Sequence, residues 1–280
     1  MSQIKFSKQF YELLTRVVKV SKPKCTLMFK SDGRARITIP TPSMYTHISA
    51  GPADLDFESD TVNIFSLSEF AKYADAIHYP DRGSVELTTE LSITGRNYEY
   101  IKFNGSSITC RTITADPSCF KKGDWKVPST QENDKMKLIC QMSFDADTVD
   151  DFTKKLKLVP TCRFVTFYAK DDARFYIKGK MAQQITYSMD EMHSRFIDED
   201  LAANVFTPDH IVMHDTSYFS IMKGIGGDYI VDERCREADY KCAMKAYSDF
   251  PGANPDDPIK LTLINSQAEA SGISNYDMVM

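Results

Sequence analysis

The side chains best suited to metal chemistry in this sequence are two histidines and two cysteines in its second half. His210 and His214 are four positions apart, a spacing that can place two ligands on one face of a helix, and Cys235 and Cys242 follow them. The intervening residues HIVM are typical of a strand instead, and the six residues between the cysteines match no common zinc pattern. An enzyme with a Cys/His metal site therefore stays open as one interpretation, to be compared with two others below.

Motifs of known enzymes are missing from the sequence. There is no glycine-rich phosphate loop and no CxxC pair, and neither HExxH nor GxSxG occurs. Four aspartates between Asp145 and Asp151 stand at the start of a predicted helix, where the helix dipole favours negative charge, so they are explained without a metal ion. The sequence predicts a protein that is not an enzyme and that needs no cofactor or metal.

Lysine and arginine side chains recur on the outward faces of the helices predicted at 7–20, 145–160 and 215–225. For a single helix a solvated amphipathic face explains such cations, but their recurrence in both halves favours a basic surface on a chain whose net charge is −5. A surface of this kind attracts DNA phosphates by counterion release, without reading the base sequence. The cations predicted to face DNA are Lys8, Arg16, Lys19, Lys22, Lys154, Lys155, Lys157 and Lys223.

The elements that position these cations occur twice along the chain. Each half consists of a helix, strands, a second helix and further strands, and the hairpin SDGRARITI at 31–39 has the counterpart KDDARFYI at 170–177. In the first half the second helix is predicted at 66–77, where Ser66 and Glu69 form a capping box. The sequence predicts an α+β fold with two similar domains, each with two helices packed on antiparallel sheets.

The domain boundaries follow from a central stretch without periodicity. Residues 113–135 include Trp125, the only tryptophan of the chain, and are predicted to be a connector. The predicted domains are then 1–112 and 136–265. Residues 266–280 have no strong pattern and are predicted to be a mobile tail.

Composition is that of a globular protein, with 42% apolar and 26% charged residues among 280. No apolar run reaches the roughly 18–20 residues of a membrane span, and the first residues lack the apolar core of a signal peptide. The seven cysteines are odd in number and scattered through apolar runs, which predicts reduced thiols and no disulfide framework. A cytoplasmic protein that contacts no membrane is therefore expected.

With this organisation, the chain resembles the sliding clamps of large tailed, myovirus-type bacteriophages, which are relatives of proliferating cell nuclear antigen. The resemblance covers roughly residues 5–232 and, more loosely, 239–265. It depends on the order of elements, on the duplication and on the segment ADPS that begins the connector. The stretches that carry it are SKQFYELLTRVVKV, NIFSLSEFAKYADAI, VELTTELSITGRNYEYIKFNGSSITCRTITADPS and SFDADTVDDFTKKLKLVPTCRFVTFYAKDDARFYIKG. This chain is longer than the familiar members, with apparent additions at 232–238, at 249–257 and in the tail.

The resemblance implies the clamp fold and a head-to-tail homotrimeric ring whose helices line a central hole for duplex DNA. It implies a processivity factor that tethers the replicative DNA polymerase, that an ATP-dependent clamp loader opens, and that late transcription proteins also contact in the infected host cell cytoplasm. Topological linkage retains the DNA in such a ring, so weak contacts that do not read sequence are sufficient. A virion or scaffold protein that uses the duplicated fold only for assembly remains the second interpretation.

Two more sets of residues are implied by the resemblance. The strands at 106–112 and 181–188 correspond to interface strands of neighbouring subunits. The residues expected at that contact are Ile108, Cys110, Gln184 and Thr186. The connector is expected to border a pocket for hydrophobic peptides of partner proteins. The residues expected to line this pocket are Met44, Phe120, Trp125, Tyr240 and Leu263. Phe120 and Trp125 would equally suit a purely structural role as anchors of the connector.

Overall fold

The protein is described by a computed structural model in which the chain divides into two compact units. Unit 1 consists of Met1–Val127 and Asp249–Leu261, and unit 2 of Pro128–Ser248 and Thr262–Met280. The residues described are 2–23, 26–31, 33–41, 44–57, 61–64, 66–76, 84–91, 97–105, 107–114, 136–169, 173–178, 184–189, 193–207 and 210–267. Within them, no helix is long and apolar enough to cross a membrane.

The described residues of unit 1 combine two helices with antiparallel strands. Its helices are α1 (Lys8–Ser21) and α2 (Leu67–Ala76). Its strands are β1 (Ser2–Phe6), β2 (Thr26–Ser31), β3 (Arg34–Pro40), β4 (Met44–Ala50), β5 (Leu55–Phe57), β6 (Thr61–Ile64), β7 (Ser84–Leu91), β8 (Asn97–Asn104) and β9 (Thr109–Ile113). One sheet has the order β5-β1-β7-β8-β9, and β4, β3, β2 and β6 are neighbours in a second. All these pairings are antiparallel.

Helix α1 forms because an amphipathic segment follows a capping serine. The Ser7 hydroxyl accepts a hydrogen bond from the Phe10 N–H at 3.1 Å, which satisfies one of the donors that a helix N-terminus leaves unpaired. The predicted apolar face is confirmed. Its buried residues are Phe10, Leu13, Leu14, Val17 and Val18. Helix α2 begins in the same way, since the Glu69 N–H donates to the Ser66 hydroxyl at 3.3 Å.

The segment 249–257, one of the apparent additions, packs against the start of α1 in unit 1. The Asp54 carboxylate is buried, and its Oδ1 accepts hydrogen bonds from the Ser7 hydroxyl and, at 2.9 Å, from the Ala253 N–H. A Cβ at Gly252 would lie 2.5 Å from Asp54 Oδ2, so only glycine allows this approach. The added segment therefore helps to fix the helix cap.

A second contact holds the end of this segment. The Arg34 guanidinium forms an ion pair with Asp257 and donates to the carbonyls of Pro258 at 2.9 Å and Ser49 at 3.2 Å. A Cβ at Gly51 would lie only 2.0 Å from Asp257 Oδ2. Residues 249–258 thus form a strap that is held against the rest of unit 1 at its middle, through Ala253, and near its end, through Asp257 and Pro258.

The second half of the chain repeats the arrangement. Its helices are α3 (Ala146–Lys157), α4 (Glu199–Val205) and α5 (Ser217–Ile225). Its strands are β10 (Lys137–Phe144), β11 (Phe164–Ala169), β12 (Ala173–Lys178), β13 (Gln184–Ser188), β14 (Ser194–Phe196), β15 (Val212–Asp215), β16 (Tyr229–Arg236), β17 (Lys241–Phe250) and β18 (Ile259–Ser266). In unit 2, β14, β10, β16 and β17 are neighbours in that order, and β13, β12, β11 and β15 form a four-stranded sheet.

Helix α3 is capped by Asp145 and packed through Phe152. The Thr148 N–H donates to Asp145 Oδ1 at 2.7 Å, and this hydrogen bond lowers the pKa of Asp145. The Phe152 ring lies 4.5 Å from that of Phe219 on α5 and 5.0 Å from that of Phe175 on β12, measured between centroids. Aromatic pairs of this kind add about 0.5–1.5 kcal/mol each to what burial contributes. They fix α3 beside α5 on the sheet.

The predicted α+β fold with a duplicated order of elements is confirmed. Strand β1 precedes α1 as β10 precedes α3, and each half has a pair of longer helices. The sequence patterns did not reveal β1, β5, β14 or α4, because these elements have between three and seven residues and no sustained periodicity. The described residues of unit 2 therefore contain one short helix more than predicted.

Candidate nucleic-acid interface

A groove between α1 and α2 collects cations on the surface of unit 1. It has a volume of about 730 Å³. The cations that line it are Arg16, Lys19, Lys22 and Lys72. Two carboxylates, Glu12 and Asp75, also line the groove. The Tyr11 hydroxyl donates to the Ala71 carbonyl at 3.2 Å and thereby ties α1 to α2. The groove is therefore a fixed feature with an excess of positive charge.

Lys72 is a groove residue that the sequence analysis did not assign to the DNA-facing set. Helix α2 also carries two carboxylates, so the net charge of the helix is negative although Lys72 is a cation. A signal was present in the spacing, because Ser68, Lys72 and Asp75 recur at i, i+4 and i+7 and share one face. That face lines the groove beside α1, so the position of Lys72 on the helix places its charge in the groove.

The cations of α1 differ in how they are held. Lys8, Arg16, Lys19 and Lys22 are all exposed. The Arg16 guanidinium lies over the ring of Phe250, 5.4 Å from its centroid, a cation–π contact that fixes where its charge is presented. Lys22 ends the helix in the left-handed conformation with φ 45°, and its N–H donates to the Val18 carbonyl at 3.0 Å. Lys8 lies in the first turn and does not line the groove.

Unit 2 has an equivalent groove between α3 and α5, with a volume of about 520 Å³. Lys157 and Lys223 line it, whereas Lys154 and Lys155 do not. All four were predicted to face DNA, and Lys155 is half-buried while the other three are exposed. The duplication therefore extends to a cationic helix-pair groove in each unit, with fewer cations in the second.

Carboxylates of α3 neutralise much of this second cationic surface. Asp150 Oδ2 lies 2.6 Å from Lys154 Nζ, and the other oxygen of the same carboxylate pairs with Lys223 on α5. Asp151 and Lys155 form a further pair at 3.5 Å. By contrast, no ion pair involves Lys19 or Lys22 among the described residues. Among the described helix cations, unit 1 therefore has more that lack an ion pair, whereas on α3 and α5 only Lys157 lacks one.

The two lysines that pair with Asp150 also shift its pKa. Hydrogen bonds from Lys154 and Lys223 lower this pKa to about 2. The carboxylate is therefore ionised at physiological pH, and it pairs with both cations in the structure. Because the pairs are exposed, salt screens them, and a phosphate oxygen can compete with Asp150 for either cation.

Strand β9 is an edge of the five-stranded sheet of unit 1. The Gly105 N–H donates to the Ile108 carbonyl at 2.8 Å, which makes that pair a hydrogen-bonded one in the hairpin from β8 to β9. Hydrogen-bonded and non-hydrogen-bonded pairs alternate along an antiparallel ladder. It follows that Thr109 and Arg111 direct their N–H and C=O groups away from β8, towards the open edge, whereas Cys110 directs its own inward.

Strand β13 is the matching edge of the four-stranded sheet of unit 2. The Met189 N–H donates to the Ala173 carbonyl at 2.8 Å, so counting from this pair gives the orientation of the strand. Gln184, Thr186 and Ser188 direct their backbone groups to the open edge. Along the whole strand every side chain is exposed or half-buried.

The predicted interface residues thus differ in whether their backbone groups face an open sheet edge. Gln184 and Thr186 have outward backbone groups on β13. Ile108 is 49% exposed but precedes β9, which begins at Thr109 and is shorter than the predicted strand 106–112. On the edge of β9, the outward backbone groups belong to Thr109 and Arg111, which were not among the predicted interface residues.

The residues predicted to line a partner-peptide pocket differ in their solvent exposure. Met44 in unit 1 and Leu263 in unit 2 are buried in the core of their units. Tyr240 is 39% exposed in the turn between β16 and β17, with φ 53°. Phe120 and Trp125 lie outside the described residues. Tyr240 is therefore the accessible member among the three that the structure describes.

The candidate metal ligands have other partners. His214 Nε2 lies 3.1 Å from Glu233 Oε2, and both side chains are fully buried. His210 Nδ1 lies 2.7 Å from the Val205 carbonyl oxygen. In the described part of the chain, no group of three or more His, Cys, Asp or Glu is arranged to hold a metal ion.

Paired helices, antiparallel sheets and an internal duplication are the features by which the fold can be compared with known proteins. No protein-family model matches the sequence, and no curated protein matches it. Among solved structures, the chain is similar to the PCNA of A. fulgidus bound to the C-terminal region of FEN-1, with 12% identity, a TM-score of 0.58, and coverage of 96% of this chain and 98% of that one.

Two more solved structures agree with this assignment. Proliferating cellular nuclear antigen from Entamoeba histolytica has 10% identity and a TM-score of 0.56, and PCNA from Thermococcus kodakaraensis has 10% and 0.52. Each comparison covers 95% of this chain and 99% of the other. At such identities the likeness shows the fold alone. The predicted clamp fold is confirmed.

Proposed function

We propose that this chain is the subunit of a sliding clamp that encircles duplex DNA and tethers a DNA polymerase for processive synthesis. The observation that carries the proposal is the clamp fold with a cationic groove on the paired helices of unit 1. In the proposed form the protein is a homotrimeric phage clamp, opened by an ATP-dependent clamp loader and also contacted by late transcription proteins.

The charge distribution suits such a role. A ring keeps its DNA by topology, so its contacts need only be weak and blind to sequence, and lysine and arginine on helix surfaces provide contacts of that type. The chain as a whole has a net charge of −5, which repels DNA from other surfaces. Polymerase attachment is assigned to the connector around Trp125 and to the exposed Tyr240, through a hydrophobic peptide.

The native mass tests the proposal directly. Light scattering should give three times the 31.8 kDa of one chain. With a loader and ATP, the trimer should be retained on closed circular DNA and released when that DNA is cut. A monomer in solution would contradict the proposal, and a trimer that circular DNA never retains would favour an assembly protein instead.

Replacing Asp150 with asparagine should strengthen DNA binding, because Lys154 and Lys223 then lose the carboxylate that neutralises them. We expect a gain of about two- to fivefold in affinity for a non-specific duplex, with a steeper dependence of log affinity on log salt. Fluorescence anisotropy of a labelled duplex at several salt concentrations measures both quantities.

The matched control for this substitution is Asp239→Asn. Asp239 also pairs with a cation, Arg236, at 2.6 Å, and has a pKa of about 2, set first by its hydrogen bond with Arg236. It lies in the turn between β16 and β17 and not on a helix. Both variants change the net charge equally, so an equal gain in affinity would assign the effect to total charge and would contradict a DNA-facing α3.

A further inference from the structure

Two cysteines of unit 2 lie opposite each other on neighbouring strands. Cys235 near the end of β16 and Cys242 near the start of β17 are direct partners in the antiparallel register. Both are buried, with 0% and 3% of their surface exposed. The sequence separates them by one short turn, so the fold brings together two thiols that scattered cysteine positions did not suggest.

Their place in the ladder brings the side chains close. The Cys242 N–H donates to the Gln267 side-chain oxygen at 2.9 Å, and the Cys242 carbonyl accepts from the Gln267 N–H at 2.9 Å. Both backbone groups of Cys242 therefore point away from β16, and its pair with Cys235 is a non-hydrogen-bonded one. In such pairs the Cα atoms are about 4.5 Å apart and the side chains are closest. Disulfides span Cα separations of about 4.4–6.8 Å.

The surroundings of Cys242 also affect its ionisation. The pKa of Cys242 is raised, first by its hydrogen bond with Cys235, then by burial and by the negative charge of Glu233. Each thiol has in addition a backbone acceptor: Cys235 Sγ lies 3.6 Å from the Arg236 carbonyl, and Cys242 Sγ lies 3.5 Å from the Tyr240 carbonyl. The strand register therefore allows a bond between the two sulfurs without any change of strand pairing.

We propose that Cys235 and Cys242 form a redox-active dithiol that low-molecular-weight disulfides, such as glutathione disulfide, convert into an intramolecular disulfide. In the first step the Cys242 thiolate attacks one sulfur of the oxidant, forming a mixed disulfide and releasing one glutathione thiolate. In the second step the Cys235 thiolate attacks Cys242 Sγ and releases the second glutathione. The protein loses two electrons and two protons, and the oxidant becomes two thiols.

Burial makes the reaction conditional on opening of the turn between the strands. The thiolate is the reacting species, and the raised pKa of Cys242 keeps this group protonated near neutral pH. Attack therefore requires local exposure of residues 235–242. Tyr240 lies in that turn with a left-handed backbone, and the disulfide would close the base of the turn and restrict Tyr240. Oxidation of the two thiols would thus restrict the backbone that carries the exposed side chain of Tyr240.

A nearby third thiol is the natural competitor. Cys140 on β10 is the direct partner of Glu233 and is buried, which raises its pKa to about 12. Its register partner is Glu233 and not a cysteine, so strand pairing gives it no neighbouring sulfur. The proposal accordingly predicts a single linkage, Cys235 to Cys242.

The test uses the full chain in native buffer, incubated with glutathione disulfide and analysed by intact mass and peptide mapping. The expected product has lost two hydrogen atoms, retains no glutathione and links Cys235 to Cys242. Its formation rate should level off as glutathione disulfide is raised, because opening of the turn becomes limiting. Cys235→Ser should instead accumulate a mixed disulfide at Cys242, and Cys140→Ser should behave as the natural chain does.

Several outcomes would overturn the proposal. A stable mixed disulfide at Cys242 in the natural chain would show that Cys235 cannot reach it. A linkage through Cys140, a linkage between two chains, or oxidation seen only after denaturation would each contradict the assigned pair. Circular dichroism of Cys235→Ser and of Cys140→Ser establishes that both variants are folded before their products are compared.

Discussion

Replacing Thr186 with proline should convert the proposed trimer into monomers. The Thr186 N–H points to the open edge of β13, so its loss removes a donor to a neighbouring subunit and none to β12. Proline is tolerated in an edge strand when the missing N–H would face solvent, so the subunit itself should still fold. Sedimentation velocity at micromolar concentration should show one subunit mass in place of three.

The control for this change is Thr186→Val, which keeps the N–H and the β-branched shape of the side chain. It should remain trimeric. Circular dichroism and the thermal midpoint of the proline variant distinguish loss of assembly from loss of fold. A proline variant that sediments as a full trimer would show that the edge of β13 is not a subunit contact.

Reversing the charge of Lys19 and Lys72 should weaken DNA binding by at least about a hundredfold at 0.1 M salt, since each ring would lose its phosphate attraction at both positions of every subunit. Both residues line the groove of unit 1, one from each helix. The salt dependence should become shallower, and preference among DNA sequences should not change. Anisotropy of a labelled duplex and polymerase processivity on primed circular DNA measure the loss.

A matched pair of substitutions is available in the same unit. Lys5→Glu with Lys260→Glu makes the same change in net charge at two exposed residues outside the helices. This control should lose several times less affinity than the groove variant. Equal losses would show that binding follows net charge alone, and the groove would then have no special part in DNA contact.

The helices could be predicted from the sequence because their apolar residues repeat within one element. Helices α1 and α3 have five and four buried residues at helical spacing, behind Ser7 and Asp145 as caps. Strand β1 lacked such a signal. Its five residues are stabilised by β5 and β7, which follow dozens of residues later, and short-range patterns do not contain that information.

The candidate site could be predicted in part for the same reason. The pair of Asp150 with Lys154 follows from i, i+4 spacing, but its second partner, Lys223, is 73 positions away and depends on how α3 packs against α5. Met44 and Leu263 were assigned to a surface pocket by resemblance, whereas the structure buries both. Burial and long-range pairing are properties of the tertiary packing and were not accessible from the sequence.

The strap at 249–258 sets the order in which the chain can fold during synthesis. Unit 1 contains residues separated by the whole of 128–248, and the bond between Arg34 and Asp257 joins positions 223 apart. At translation rates of about 5–20 residues per second, the strap emerges on the order of ten seconds after Val127. The hydrogen bond from the Ala253 N–H to the buried Asp54 carboxylate can form only after this interval. Unit 1 therefore gains its last contacts only after residues 128–248 have been synthesised.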